Sequence, residues 1–375
     1  MYKRQVLVLA GKARENSEAS SSVISESSAS SGVISTPVPT EDGDLRAFYT
    51  DVANAESVTV MVYMIGSDLE SEDGSATDDL LEMADAALSE NVHLVLQTGG
   101  TETWWNDVCT DDESERFVIE NGDMTLLQSL GSMNMTDADT LSDFIRFSAE
   151  SYPADRYELI LWDHGGGTMT GFGYDELYED TSLTLSSLST ALYNGGVQFD
   201  FIGFDACLMA TAEVAYALDP YADYLIASEE SEPGEGWAYK NWLTMLAEAP
   251  AVPTAELGKK LADDFLEAYI FADMPTLSVL DLRYVPELYA ALESYWGSAY
   301  TALQNGSYGA FSQVRSNVRE FGDNEYDQVD LSDLATLTKQ SLSLGTEDDV
   351  QAAVQNMVVY LSLIHISEPT RPEPI

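Results

Sequence analysis

LILWDHGGGT (159–168) runs from a stretch of apolar residues directly into Asp163, His164 and three glycines. An unbroken apolar run of this length suits a strand covered on both faces. FIGFDACLMA (201–210) repeats the pattern, with Asp205 and Cys207 at its end. Around this pair strands and helices alternate. SVTVMVYMIG (57–66) and VHLVLQTGG (92–100) read as strands, joined by stretches at 157–163, 200–205 and 223–228. Helical spacing covers 75–88, with Leu81, Ala84 and Leu88 on one face, then 137–152, 184–193 and 208–218. RFVIENGDM predicts a hairpin arm turning at Asn121-Gly122. MPTLSVLDL (274–282) is a further strand, and beyond it VPELYAALESYWGSAYTAL and EDDVQAAVQNMVVYLS read as helices. The expected fold class is α/β: a mostly parallel sheet with helices on both faces, plus a smaller, mainly helical C-terminal segment.

Four segments follow. Residues 1–50 hold a basic-apolar start, MYKRQVLVLAGKAR, similar to the remnant of an export signal, and a Ser-rich stretch too polar to fold. That combination predicts a bacterial protein that is secreted or tethered to the cell surface. Residues 51–283 form the α/β domain and 284–362 the helical segment. MYKRQ (1–5) and residues 363–375 resemble translated sequencing-adapter read-through and are set aside as non-native.

The chain of 375 residues carries 16 Lys+Arg against 65 Asp+Glu, a net charge of −49. Such a surface repels nucleic acid and anionic membrane and attracts cations. No run of about 20 apolar residues is present, so no membrane span is expected. Cys109 and Cys207 are too few for a disulfide framework; Cys109, in WWNDVCTDDE, reads as an exposed thiol. His93 reads as structural, and His365 lies in the suspect tail.

In a parallel sheet chemistry collects at the carboxyl ends of the strands. His164 and Cys207 both fall there. Taken singly, a strand-end cysteine is commonly an inert small hydrophobe, and a histidine the partner of a backbone carbonyl. Taken together they offer a nucleophile with a base that later protonates the leaving group. Gly165 lets a substrate carbonyl approach, and the N–H groups of Gly165 and Cys207 could hold an oxyanion.

VMVYMIGSDLE, YELILWDHGGG, FIGFDACLMATAEVAYAL, YLIASEESEPGEGW and TLSVLDL, in that order over roughly residues 57–340, are similar to clostripain-like cysteine peptidases, relatives of caspases, gingipains and legumain. The resemblance implies a caspase-like sheet and a cysteine endopeptidase working through an acyl-enzyme. In it His164 is the general base and acid, Cys207 the nucleophile, and Gly165 and Cys207 the oxyanion hole. It implies peptide or protein substrates with Arg or Lys at P1, read by Asp205, with Glu229, Glu230, Glu235 and Trp237 as further pocket walls. Asp163 is expected to orient a loop instead of the imidazole. No cofactor is required. Calcium supports some relatives, but SDLESEDGSATDD and TDADT, though oxygen-rich, match no EF-hand loop. Some relatives cleave themselves at a basic residue after the histidine; here no Lys or Arg occurs between Arg156 and Lys240, so that cut has no site. The competing reading is a catalytically silent homologue acting as a surface-tethered binding protein. A serine hydrolase is disfavoured, because no Gly-x-Ser-x-Gly elbow is present.

Overall fold

The strands follow from unbroken apolar stretches whose alternate side chains enter two separate cores. A computed structural model describes residues 47–178, 181–269, 275–322 and 326–363. Among these are β1 (Val58–Ile65), β2 (Val92–Gly99), β3 (Glu115–Glu120), β4 (Asp123–Ser129), β5 (Arg156–Trp162), β6 (Phe199–Asp205), β7 (Ala222–Ala227), β8 (Thr276–Asp281), β9 (Glu320–Phe321), β10 (Gln328–Val329) and β11 (Val358–Leu363). All but β9 and β10, which pair with each other, join one sheet in the order β4-β3-β2-β1-β5-β6-β7-β8-β11. The central strands β2, β1, β5, β6 and β7 are parallel; at the two sides β3 and β8 run against them, and β4 and β11 pair antiparallel with β3 and β8.

Period-two alternation sorts the side chains. Met61, Tyr63, Leu159, Leu161, Ile202 and Phe204 face the helices Ala138–Ser151, Leu185–Gly195 and Ala212–Leu218 and the C-terminal helices. Val60, Val62, Ile160, Trp162 and Phe201 face Ser75–Ala84, Tyr239–Glu248 and Thr254–Ala268. Full burial of each such side chain contributes about 1.5–3 kcal/mol. Gly203 has no side chain because the Trp237 ring lies on it; a Cβ there would stand 2.7 Å from Trp237 Cη2.

Several expectations are corrected. The helix expected over 75–88 ends at Ala84, and its buried stripe is Ala76, Leu80 and Met83, while Leu81 is 63% exposed. The helix must pack on its neighbour Tyr239–Glu248 as well as on the sheet, and that selects the other face. The helix expected from 208 begins at Ala212, capped by Thr211 accepting from Val214 N–H at 3.1 Å. Residues 207–211 are committed elsewhere: Leu208 N–H donates to Glu230 O at 3.1 Å and Ala210 N–H to Ser228 O at 2.8 Å. Cys109 is buried rather than exposed, and burial pushes its thiol up to about 12. The C-terminal segment, expected to be helical through 362, ends in a strand. Leu288, Tyr295, Val350 and Met357 enter the first core, and Val358–Leu363 leaves the helical pattern to become the outer strand beside β8. The Ser-rich tether and His365 lie outside the described residues.

At the amino end of the sheet a buried cation holds three elements. Arg156 donates to the carbonyls of Pro250 at 2.6 Å and Val252 at 2.9 Å, to Glu158 at 3.1 Å, and to Asp200. Thr254 Oγ1–H closes the cluster on Asp200 at 2.6 Å. Burial raises Glu158 to about 8 despite Arg156, so at neutral pH it is held as the acid. A carboxyl with a raised folded-state pKa binds its proton more tightly folded than unfolded, so stability falls as pH rises from about 4.5 to about 8. Urea unfolding of Glu158→Gln at pH 5 and pH 8 should therefore show the variant gaining on the wild type at the higher pH. An equal difference at both pH values would contradict it.

Candidate active site

Strand register brings the two chemical stretches together. β5 and β6 pair with Trp162 opposite Asp205, and Asp163 N–H continues the ladder onto Asp205 O at 3.2 Å. His164 and Cys207 each lie two residues beyond that rung. Their loops touch backbone to backbone: a Cβ on Gly165 would overlap the Cys207 carbonyl oxygen and stand 3.0 Å from Met209 Cγ. Only glycine fits this contact.

β1, the other neighbour of β5, supplies what sequence reading missed. Its carboxyl end leads into the helical turn Ser67–Ser71, and Asp68 Oδ1 stands 2.7 Å from His164 Nε2. Both side chains are nearly half exposed. A carboxylate can only accept, so Nε2 carries the hydrogen and Nδ1 of the neutral ring keeps its lone pair. Asp163 takes a different role. Buried, it accepts from Ser67 Oγ–H at 2.7 Å and from Tyr174 N–H, tying the loops after β1 and β5 together. Burial raises it to about 7, against the pull of the His164 charge.

Cys207 is half-buried, and burial holds its thiol above the ordinary range. Its Sγ accepts from Glu232 N–H at 3.2 Å. Leu208, immediately after it, is buried with φ +67°, a left-handed conformation that costs a branched residue roughly 1–3 kcal/mol.

The expected pocket residues separate into distinct roles. Asp205 is buried beneath the cysteine loop, accepting from Trp237 N–H at 2.9 Å and Tyr239 O–H at 2.7 Å; burial raises it to about 7. Trp237 is itself buried, with its ring on β6. Glu229 accepts from Ser278 Oγ–H at 2.5 Å on β8, and its other carboxyl oxygen is buried. Glu230 accepts from Ser231 N–H at 3.1 Å and Gly322 N–H at 2.8 Å. Glu235 is exposed.

Glu232, which sequence reading passed over, lies against Asp205 in the same buried cluster. Both of its carboxyl oxygens are buried, and the polar side chains that act on them are the Asp205 carboxyl and the Trp237 indole N–H. Burial, then the negative charge of Asp205, raises it well above the carboxylate range. Across Gly236 lies Asp79, which accepts from Trp162 Nε1–H at 2.6 Å and is likewise raised by burial and by Asp205. The acid-rich stretches noted for calcium are used locally: Glu70 accepts from Thr77 N–H at 2.8 Å and Trp105 N–H at 2.7 Å, and Asp137 caps a helix. Among the described residues no three His, Cys, Asp or Glu side chains converge as a metal-holding group.

Comparison with known proteins gives the family and the fold. A curated relative, clostripain of Hathewaya histolytica, is 35% identical over 123 residues, covering 28% of this chain and 23% of the relative's length. The chain thus spans under a quarter of that relative. Two solved structures share the fold. One, a secreted C11 cysteine protease from Bacteroides thetaiotaomicron in complex with an irreversible peptide inhibitor, matches with TM-score 0.63 and 19% identity over 82% of this chain and 84% of the other. The other, an inactive zymogen C11 protease from Parabacteroides distasonis, matches with TM-score 0.62 and 23% identity over 84% and 87%. The family model described as the clostripain family, Peptidase_C11, matches residues 62–364, so most of the chain, including His164 and Cys207, belongs to the clostripain family.

Proposed function

We propose that the chain is a cysteine endopeptidase with a Cys207–His164 dyad. The observation that carries this is the contact of Gly165 with the Cys207 carbonyl, which joins the imidazole and thiol loops while Asp68 holds the far ring nitrogen. The thiol is kept protonated at rest, so ionisation belongs to the reaction. His164 Nδ1 takes the thiol proton as Sγ attacks the scissile carbonyl carbon. The carbonyl oxygen gains the electron pair and is held by the N–H groups of Gly165 and Cys207. Collapse expels the amine, which takes the proton from the imidazolium, and leaves a thioester on Cys207. Water, deprotonated by His164, then attacks the thioester and releases the acid and the thiol.

The second half of the reading concerns P1. Glu232 and Asp205 are buried beside the nucleophile, and the groups acting most strongly on them are other acids, tyrosine and tryptophan. A buried acid without a cation stays protonated; a guanidinium or ammonium from substrate would ionise it and pair with it. We therefore assign Arg or Lys to P1, with the neighbouring pair Glu232 and Asp205 as its acceptors. Export to the cell exterior belongs to the same proposal, supported by the Ser-rich acidic N-terminal composition and by the secreted structural neighbour.

A peptide panel varied only at P1 tests both halves. Cleavage after Arg or Lys should vanish in Cys207→Ala; turnover surviving in that variant would sink the dyad. Asp68→Asn keeps an acceptor but loses the charge, and kcat should fall at least about tenfold with KM little changed. Glu232→Gln should raise KM for an Arg peptide about tenfold or more, the scale of a lost charge-assisted bond, and leave a Leu peptide unaffected. Because Asp205 is raised to about 7, binding a P1 cation must drive a proton off. KM for the Arg peptide should accordingly fall as pH rises from 6 to 8, and Asp205→Asn should flatten that dependence. A slope unchanged in the variant would remove Asp205 from the pocket.

A further inference from the structure

The C-terminal segment reaches the active site through a short hairpin, β9 with β10. The hairpin is fixed at its base: Arg315 bonds both Glu320 and Asp327, and Asp330 N–H donates to Arg319 O at 3.0 Å. From there it touches both catalytic loops. On the cysteine side, Gly322 N–H donates to Glu230 Oε1 at 2.8 Å, and Glu230 O accepts from Leu208 N–H at 3.1 Å. A Cβ on Gly322 would stand 3.0 Å from Leu208 Cδ1, so the residue after the nucleophile packs directly on the hairpin. On the histidine side, Gln328 Nε2 lies so close to Gly167 that a Cβ there would overlap it. Tyr326 Cε1 stands 3.1 Å from where a Cβ on Gly166 would be. Gln328 Nε2 is buried and has no acceptor of its own, so it is not placed there by a hydrogen bond.

We propose that this hairpin is a positioning element of the peptidase site, with Glu230 and Gln328 bracing the Cys207 and His164 loops against each other so that turnover depends on the C-terminal segment. The inference rests on the dyad reading above. Each loop has backbone bonds of its own, Gly173 N–H to His164 O at 2.9 Å on one side and Leu208 N–H to Glu230 O at 3.1 Å on the other, and the hairpin is the element that contacts both. Leu208 is held with positive φ, which persists only where surrounding contacts over-determine it. The hairpin supplies such contacts through Glu230 and Gly322. A displacement of about 1 Å between nucleophile and base costs roughly a hundredfold in rate, so a packing contact remote from the substrate can control kcat.

The test uses the full chain with a Lys or Arg peptide as substrate and iodoacetamide as probe of the free thiol. Glu230→Ala and Gln328→Ala should lower kcat about tenfold or more, with KM within about twofold and thermal midpoints near wild type. Both should also bring the alkylation rate of Cys207 to that of His164→Ala. Glu230→Gln, which still accepts from Gly322, and Gln328→Met, which keeps the volume on Gly167, should recover most of the lost kcat. If an alanine variant proves unstable, Glu230→Asp, which withdraws the carboxylate by one methylene, should show the same kcat loss in smaller measure. Wild-type kcat and alkylation in Gln328→Ala and in either Glu230→Ala or Glu230→Asp would overturn the proposal. Wild-type turnover in His164→Ala would instead overturn the dyad itself.

Discussion

The side-by-side approach of Gly165 and the Cys207 carbonyl is the constraint on which the remaining site geometry rests. It requires β5 and β6 to be adjacent, parallel and in register, which in turn requires both to be buried on two faces. It leaves no room for a side chain at 165. Once it is met, the imidazole and thiol leave neighbouring strand ends, and β1 on the other side of β5 delivers Asp68 to the ring. Asp163 then has to serve as a brace between loops, because its buried carboxyl is occupied by Ser67 and Tyr174.

The sheet carries a buried acid cluster at each end, and the contrast between them is informative. At the amino end, Glu158 and Asp200 share Arg156, whose other hydrogen bonds go to two carbonyls. That cluster has its own cation and reads as architecture. At the carboxyl end, Asp79, Asp205 and Glu232 gather beneath the Cys207 loop with tyrosine and tryptophan as their neighbours. Burying acids without a counter-charge is unfavourable. In a chain this acidic, the acids that hold the backbone together are distinguished from the rest by the cation buried among them.

The central strands and the His164–Cys207 pair were legible because unbroken apolar runs ending in Asp-His-Gly and Asp-Ala-Cys state both the burial and the end of the strand. Other features depended on tertiary neighbours. Asp68 becomes meaningful only when β1 is known to border β5. Glu232 differs from Glu229 and Glu230 by where the loop turns each side chain, and composition carries no trace of that. The stripe Ala76–Leu80–Met83 competed with Leu81 and Leu88 at equal helical spacing, and packing against a second helix decided between them. The strand Val358–Leu363 follows helical residues without an intervening glycine or proline, so periodicity continued past the real boundary.

That strand has a consequence for how the chain acquires its structure during synthesis. β8 is separated from its outer partner by the whole run of C-terminal helices. Until β11 has been made, β8 presents an open row of backbone donors and acceptors, the kind of edge that recruits stray strands from other chains. The pairing that closes it is also long-range and therefore slow. A ribosome-bound chain of this protein thus passes through an interval in which its His164 and Cys207 loops are already translated but its sheet edge is bare, and covering by a chaperone or delay of folding would matter most in that interval.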